Sequence, residues 1–105
     1  MSVKTNKGNC YKITIEEVTS QAEQSTKTVE FEFQDREDLF QLIENLKKGS
    51  GLEASPATQL AVALRLLGPM MMQQRKHPLF VDFMPHFKTF MLQLKAKVKS
   101  TISSE

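Results

Sequence analysis

Two stretches decide the fold, Tyr11-Lys12-Ile13-Thr14-Ile15-Glu16 and Thr28-Val29-Glu30-Phe31-Glu32-Phe33. Apolar and polar residues alternate strictly in both. In an extended chain Tyr11, Ile13 and Ile15 share one side with Val29, Phe31 and Phe33, while Lys12, Thr14, Glu16, Thr28, Glu30 and Glu32 share the other. A period of two in β-branched and aromatic residues is the signature of half-buried strands. Side-chain chemistry also selects a register. If paired residue numbers sum to 44, Tyr11 faces Phe33, Ile13 faces Phe31, Ile15 faces Val29 and Lys12 meets Glu32. A shift of two residues would set Glu16 against Glu30, which like-charge repulsion disfavours. The connection from Thr19 to Lys27 is polar throughout and reads as a loop.

The pattern changes after the second strand. Asp35 reads as a helix N-cap, and Leu39, Leu42, Ile43 and Leu46 recur at i, i+3, i+4 and i+7 along one helical face. Lys47 and Lys48 suit the last turn and Gly49 is placed to stop it. Ser55-Pro56 signals a second helix, with Leu60, Ala61, Leu64, Leu67 and Met71 on one stripe and Val62 and Leu66 on another. Gly68-Pro69 predicts a kink, or a stop followed by a new start, because proline removes a donor and clashes one turn back. Leu79 to Met84 is short and apolar, about one turn. Pro85 opens a last helix whose stripe is Phe87, Phe90, Met91, Leu94 and Val98, with Lys88, Lys95 and Lys99 beside it.

The predicted architecture is therefore α+β: an N-terminal antiparallel β-hairpin followed by three or four helices packed on one face, in the order ββααα. Residues 1–9 read as a flexible tail, 10–99 as one domain and 100–105 as a polar C-terminal tail. A lone two-stranded sheet is marginal in water, so the helices are expected to cover its apolar face. At least one strand edge stays free, and two copies joined edge to edge would remove that liability.

Bulk properties narrow the function. The 105 residues suffice for one domain, with 40% hydrophobic and 25% charged residues, which is ordinary for a globular chain. Cys10 is the single cysteine, so no internal disulfide forms. Met1 to Asn9 carries Lys4 and Lys7 and no apolar core, unlike a signal peptide, and Leu60 to Met72 is interrupted by Arg65 and Pro69, unlike a membrane span. A cytoplasmic location is expected. Net charge is +2, unevenly spread: residues 1–53 hold seven Lys/Arg against ten Asp/Glu, and residues 54–105 hold seven against two. The acidic first half and the absence of exposed aromatics among the lysines argue against nucleic acid.

Chemical motifs are absent. Glu16, Glu30 and Glu32 share a hairpin face, where alternation places them in solvent. His77, His86 and Cys10 have no zinc-ligand spacing, so no metal or other cofactor is expected. The glycines of Lys47 to Gly51 follow the lysines, the reverse of a phosphate loop, and a helix end explains them. Met70-Met71-Met72 spreads over about 200° of helical arc, so one methionine at least leaves the core stripe.

The strand Tyr11 to Ile15, the strand Val29 to Phe33, the helix around Asp38-Leu39-Phe40 and above all Arg75-Lys76-His77-Pro78-Leu79-Phe80 resemble a family of small bacterial proteins classed only as a domain of unknown function. The resemblance covers about residues 10–98. It implies a bacterial cytoplasmic setting and carries over no activity, cofactor or catalytic residue.

Three functions stay open. The first is a non-enzymatic protein-interaction module, partnered by another protein or by itself, with Lys12, Thr14, Glu30, Glu32, Met70 and Met72 as interface residues. The second is a small-ligand or anion-binding domain built on Arg65, Arg75, Lys76 and His77. The third is an enzyme formed between subunits around His77 or Glu16. A helix cap made by His77 would remove the main residue of the second and third readings.

Overall fold

The computed structural model of the protein describes residues 8–18 and 27–103. The expected N-terminal tail up to residue 7 and most of the polar connection, 19–26, lie outside the described residues. Strand β1 is Asn9–Glu16 and β2 is Thr28–Asp35, followed by helices α1 (Leu39–Gly49), α2 (Ala54–Gln73), α3 (Pro78–Val81) and α4 (Met84–Ser103). This is an α+β fold in which a two-stranded antiparallel hairpin precedes four helices. The chain divides into two compact units, 1–38 and 39–105.

In the first unit the strands pair in the register that the sequence selects, Tyr11 with Phe33, Ile13 with Phe31 and Ile15 with Val29. The Tyr11 and Phe33 rings meet at 5.6 Å between centroids. Lys12 stands opposite Glu32, yet its Nζ reaches diagonally to Glu30 at 3.7 Å. Thr14 Oγ1 donates to the same Glu30 carboxylate at 3.5 Å. The base of the hairpin is tied by Tyr11 Oη donating to the Glu37 carbonyl at 3.3 Å. Asp35, 5% exposed, accepts the Glu37 N–H at 3.0 Å. Asp35 thus organises the turn after β2 instead of capping α1, which starts at Leu39. Tyr11, Ile13 and Phe33 are half-buried, whereas Ile15 is 58%, Val29 56% and Phe31 39% exposed.

In the second unit α1 is the central element, packed against both α2 and α4. The core is small: Leu39 and Leu46 from α1, and Ala57, Ala61, Leu64 and Met71 from α2. Removing a side chain such as Leu46 from water is worth about 1.5–3 kcal/mol. Gly49 is buried as the last residue of α1, and a Cβ there would lie 2.9 Å from Val98 Cα. Its role is close approach of α1 to α4 more than termination. The stop comes from Ser50, whose Oγ donates to the Leu46 carbonyl at 2.6 Å and accepts from the Leu52 N–H at 3.1 Å.

Helix α2 begins two residues before the expected Pro56, with Glu53 at its cap position making no side-chain bond. Pro56 sits in the first turn, where its missing donor costs nothing. Of the two outcomes expected at Gly68-Pro69, the stop does not occur, and α2 runs through Pro69 to Gln73. Buried Leu64 and Met71 hold the helix on either side of the lost bond. Helix α4 continues past Ser100 to Ser103, with Thr101 and Ile102 half-buried. Its stripe reads Met84, Phe87, Met91, Leu94 and Val98, all half-buried, while Phe90 is 41% exposed and so lies off the stripe.

Candidate functional site

Three surfaces carry candidate chemistry. The first is the hairpin. A single bond fixes which backbone groups are spare: the Glu17 N–H donates to the Lys27 carbonyl at 2.9 Å, continuing the same register beyond the strands. Antiparallel partners alternate between bonded and non-bonded pairs. The odd-numbered pairs, Tyr11–Phe33, Ile13–Phe31 and Ile15–Val29, are therefore the bonded ones. The backbone groups of Lys12, Thr14 and Glu16 point to the free edge of β1, and those of Thr28, Glu30 and Glu32 to the free edge of β2. All six residues are exposed.

The second surface is the turn after α2. It begins where the Gln74 N–H bonds the carbonyls of Met70 and Met71, and the His77 N–H bonds Gln74. Arg75, Lys76 and His77 border a depression of about 350 Å³ whose other lining residues are Gln73 and Gln74. Five consecutive residues of one exposed turn make this a dent in the surface, with no second element closing over it. Arg65 does not line it. His77 caps α3: its Nδ1 accepts the Leu79 N–H at 3.1 Å, and its ring lies 5.9 Å from that of Phe80. Pro78 follows at the first helical position. The conspicuous Arg75 to Phe80 segment thus has a local folding role, namely ending one helix and starting the next.

The third surface was not singled out by the sequence. An open groove of about 290 Å³ runs between the C-terminal half of α2 and α4, floored by Gly68, Met72, Met84, Phe87, Met91 and Leu92 and edged by Lys88 and Lys95. Met72 is 50% and Leu92 69% exposed. Met70 is also exposed, at 42%, outside the groove lining. The Phe83 ring, 5.9 Å from Phe87, extends the apolar surface toward α3. Period counting placed Phe87 and Met91 on a buried stripe. The signal that could have revealed the groove is Leu92, an apolar residue facing away from that stripe between two lysines.

Among the described residues no group of three His, Cys, Asp or Glu side chains gathers as a metal site. No described helix is long and apolar enough to cross a membrane.

Comparison with known proteins assigns no activity. No curated protein matches the chain. A crystal structure of a protein of unknown function from Pectobacterium atrosepticum is 40% identical, covering 85% of this chain and 98% of its own, with a TM-score of 0.76. The model of a domain of unknown function, DUF3861, matches residues 9–96. That span holds both strands, α1 to α3, the Arg75 to Phe80 turn and most of α4, and the chain belongs to the DUF3861 family.

Proposed function

We propose that this domain is a non-enzymatic protein-interaction module that self-associates through the free edge of β1. The observation that carries this reading is the exposed row Lys12, Thr14 and Glu16, whose backbone groups lack strand partners in the hairpin. A two-stranded sheet gains most by adding strands. If a second copy pairs antiparallel about Thr14, Lys12 of each chain faces Glu16 of the other. Ile13 likewise faces Ile15, extending the apolar side over a residue that is 58% exposed in one chain. The other edge is poorly suited, because β2 centred on Glu30 would set Glu30 against itself. The result is a four-stranded sheet with β1 strands at its centre.

The reading is tested by sedimentation velocity on the full chain over a concentration series. Thr14→Pro removes one donor per chain from the shared edge, two per dimer at about 1 kcal/mol each, so dimerisation weakens by roughly 30-fold. Lys12→Glu weakens it through repulsion from Glu16, and Lys12→Glu combined with Glu16→Lys restores it. A monomer at high micromolar concentration, or a charge-swapped pair that fails to recover, sinks the proposal.

An anion site at Arg75 and His77 finds less support, since the depression they border is lined only by consecutive residues of one exposed turn.

A further inference from the structure

The α2–α4 groove shares no residue with that edge, and its chemistry describes a different occupant. We propose that it docks an acidic amphipathic helix from another protein. The floor is apolar and rich in methionine, with Met72, Met84 and Met91 around Phe87. Unbranched thioether side chains adapt to varied apolar shapes and recur on surfaces that receive helices. Gly68 lies beneath the floor, and a Cβ there would stand 3.6 Å from the Phe87 ring, so the backbone of α2 itself contributes depth.

Charge chooses among the occupants. From Met84 to Ser103, α4 carries Lys88, Lys95, Lys97 and Lys99 and no acidic residue. Among the described residues, neither Lys88 nor Lys95 has an ion-pair partner. A second copy meeting this face with its own α4 would set Lys88 and Lys95 against the same two lysines. A carboxylate-bearing partner meets no such repulsion. Lys88 and Lys95 are seven residues apart, two helical turns or about 10.5 Å along the axis. A helix lying along α4 with carboxylates at i and i+7 beside a leucine stripe matches both.

Shape disfavours the other anionic apolar ligands. A lipid surface needs a protruding apolar face, whereas this one is concave. An enclosed acyl or drug-sized ligand is normally 70–90% covered, which an open groove of this size does not achieve. Side chains projecting from a helix need only the concavity.

The probe is a synthetic 18-residue peptide with leucines at i, i+3, i+4 and i+7 and two glutamates seven residues apart flanking them, fluorescently labelled and titrated with the full chain. Anisotropy is expected to report saturable binding that weakens about tenfold or more when both glutamates are replaced by lysine, at low ionic strength. Leu92→Glu abolishes binding. Leu92 is 69% exposed, and circular dichroism of that variant checks that the fold is kept. Lys88→Glu with Lys95→Glu reverses the preference, so that the lysine-edged peptide binds better. Equal binding of the two peptides by the wild type, or binding that survives Leu92→Glu, overturns the proposal. So does the absence of peptide binding together with Leu92-dependent binding to phosphatidylglycerol vesicles or oleate, which reassigns the groove to a lipid. A Leu92→Glu change in sedimenting mass reassigns it to a second copy. Thr14→Pro leaves peptide binding unchanged, which separates this inference from the edge pairing.

Discussion

The hairpin and the helical unit are held by different means. In the hairpin, backbone bonds and cross-strand pairs such as Tyr11–Phe33 and Lys12–Glu30 do the work, and none of its apolar side chains is fully buried. In the helical unit, six apolar residues are almost removed from solvent, four of them on α2. The longest helices are equal in length at 20 residues, yet α4 has no fully buried residue at all. Stability is thus concentrated around α1 and α2, and the two ends of the chain, β1–β2 and α4, present apolar surface. A small domain that leaves apolar surface at both ends has surface to spend on partners.

The sharpest way to break this comparison is to empty the shared core. Leu46 is 1% and Met71 0% exposed, from α1 and α2 respectively. Leu46→Ala or Met71→Ala is expected to cost about 2–5 kcal/mol by lost transfer energy and the cavity left behind. Denaturant titration measures it. A cost below about 1 kcal/mol for both would mean that the helical unit has no true centre.

A smaller effect tests the α1–α4 contact. Gly49→Ala places a Cβ 2.9 Å from Val98 Cα and 3.0 Å from its carbonyl oxygen, both backbone atoms that cannot swing aside. Helix propensity alone favours alanine by about 1 kcal/mol. Overpacking opposes it by about 1–3 kcal/mol, so net destabilisation is expected in thermal melts. A stabilised Gly49→Ala protein would show that α4 is free to move off α1, and the close approach would lose its meaning.

These two regions were unequally legible in the sequence. The hairpin register followed from alternation plus one charge argument, because a shift by two would have opposed Glu16 to Glu30 and a shift by one would have inverted every side chain. The helices followed from their stripes, but their ends did not. Asp35 has the residue type of an N-cap and serves instead as a turn acceptor for Glu37. Pro69 has the residue type of a breaker and is overridden by buried neighbours on both sides. Of the candidate sites, the edge residues Lys12 and Thr14 were legible as exposed, since alternation alone puts them outward. His77 was singled out for its chemistry and proves to cap α3. The groove was hidden because half-burial and full burial give the same period; Phe87 and Met91 look alike in a stripe whether or not a neighbour covers them.

The faintest effect bears on the hairpin face. Val29 and Ile15 pair across the strands and are 56% and 58% exposed, so Val29→Thr removes little buried area while keeping a β-branched side chain. A substitution at so open a site is expected to change the stability of the isolated chain by no more than about 0.5 kcal/mol. Alternation predicts a sealed face, and a sealed valine would cost more because its hydroxyl replacement would be buried without a partner. Concentration separates the cases. At low micromolar protein the change should be negligible. At concentrations where β1 edges pair, the face grows to four strands and any extra cost of Val29→Thr measures the burial gained in the dimer. A large cost that is the same at both concentrations would place the covering within the single chain, and the contrast between a helical unit that buries its core and a hairpin that waits for a partner would be lost.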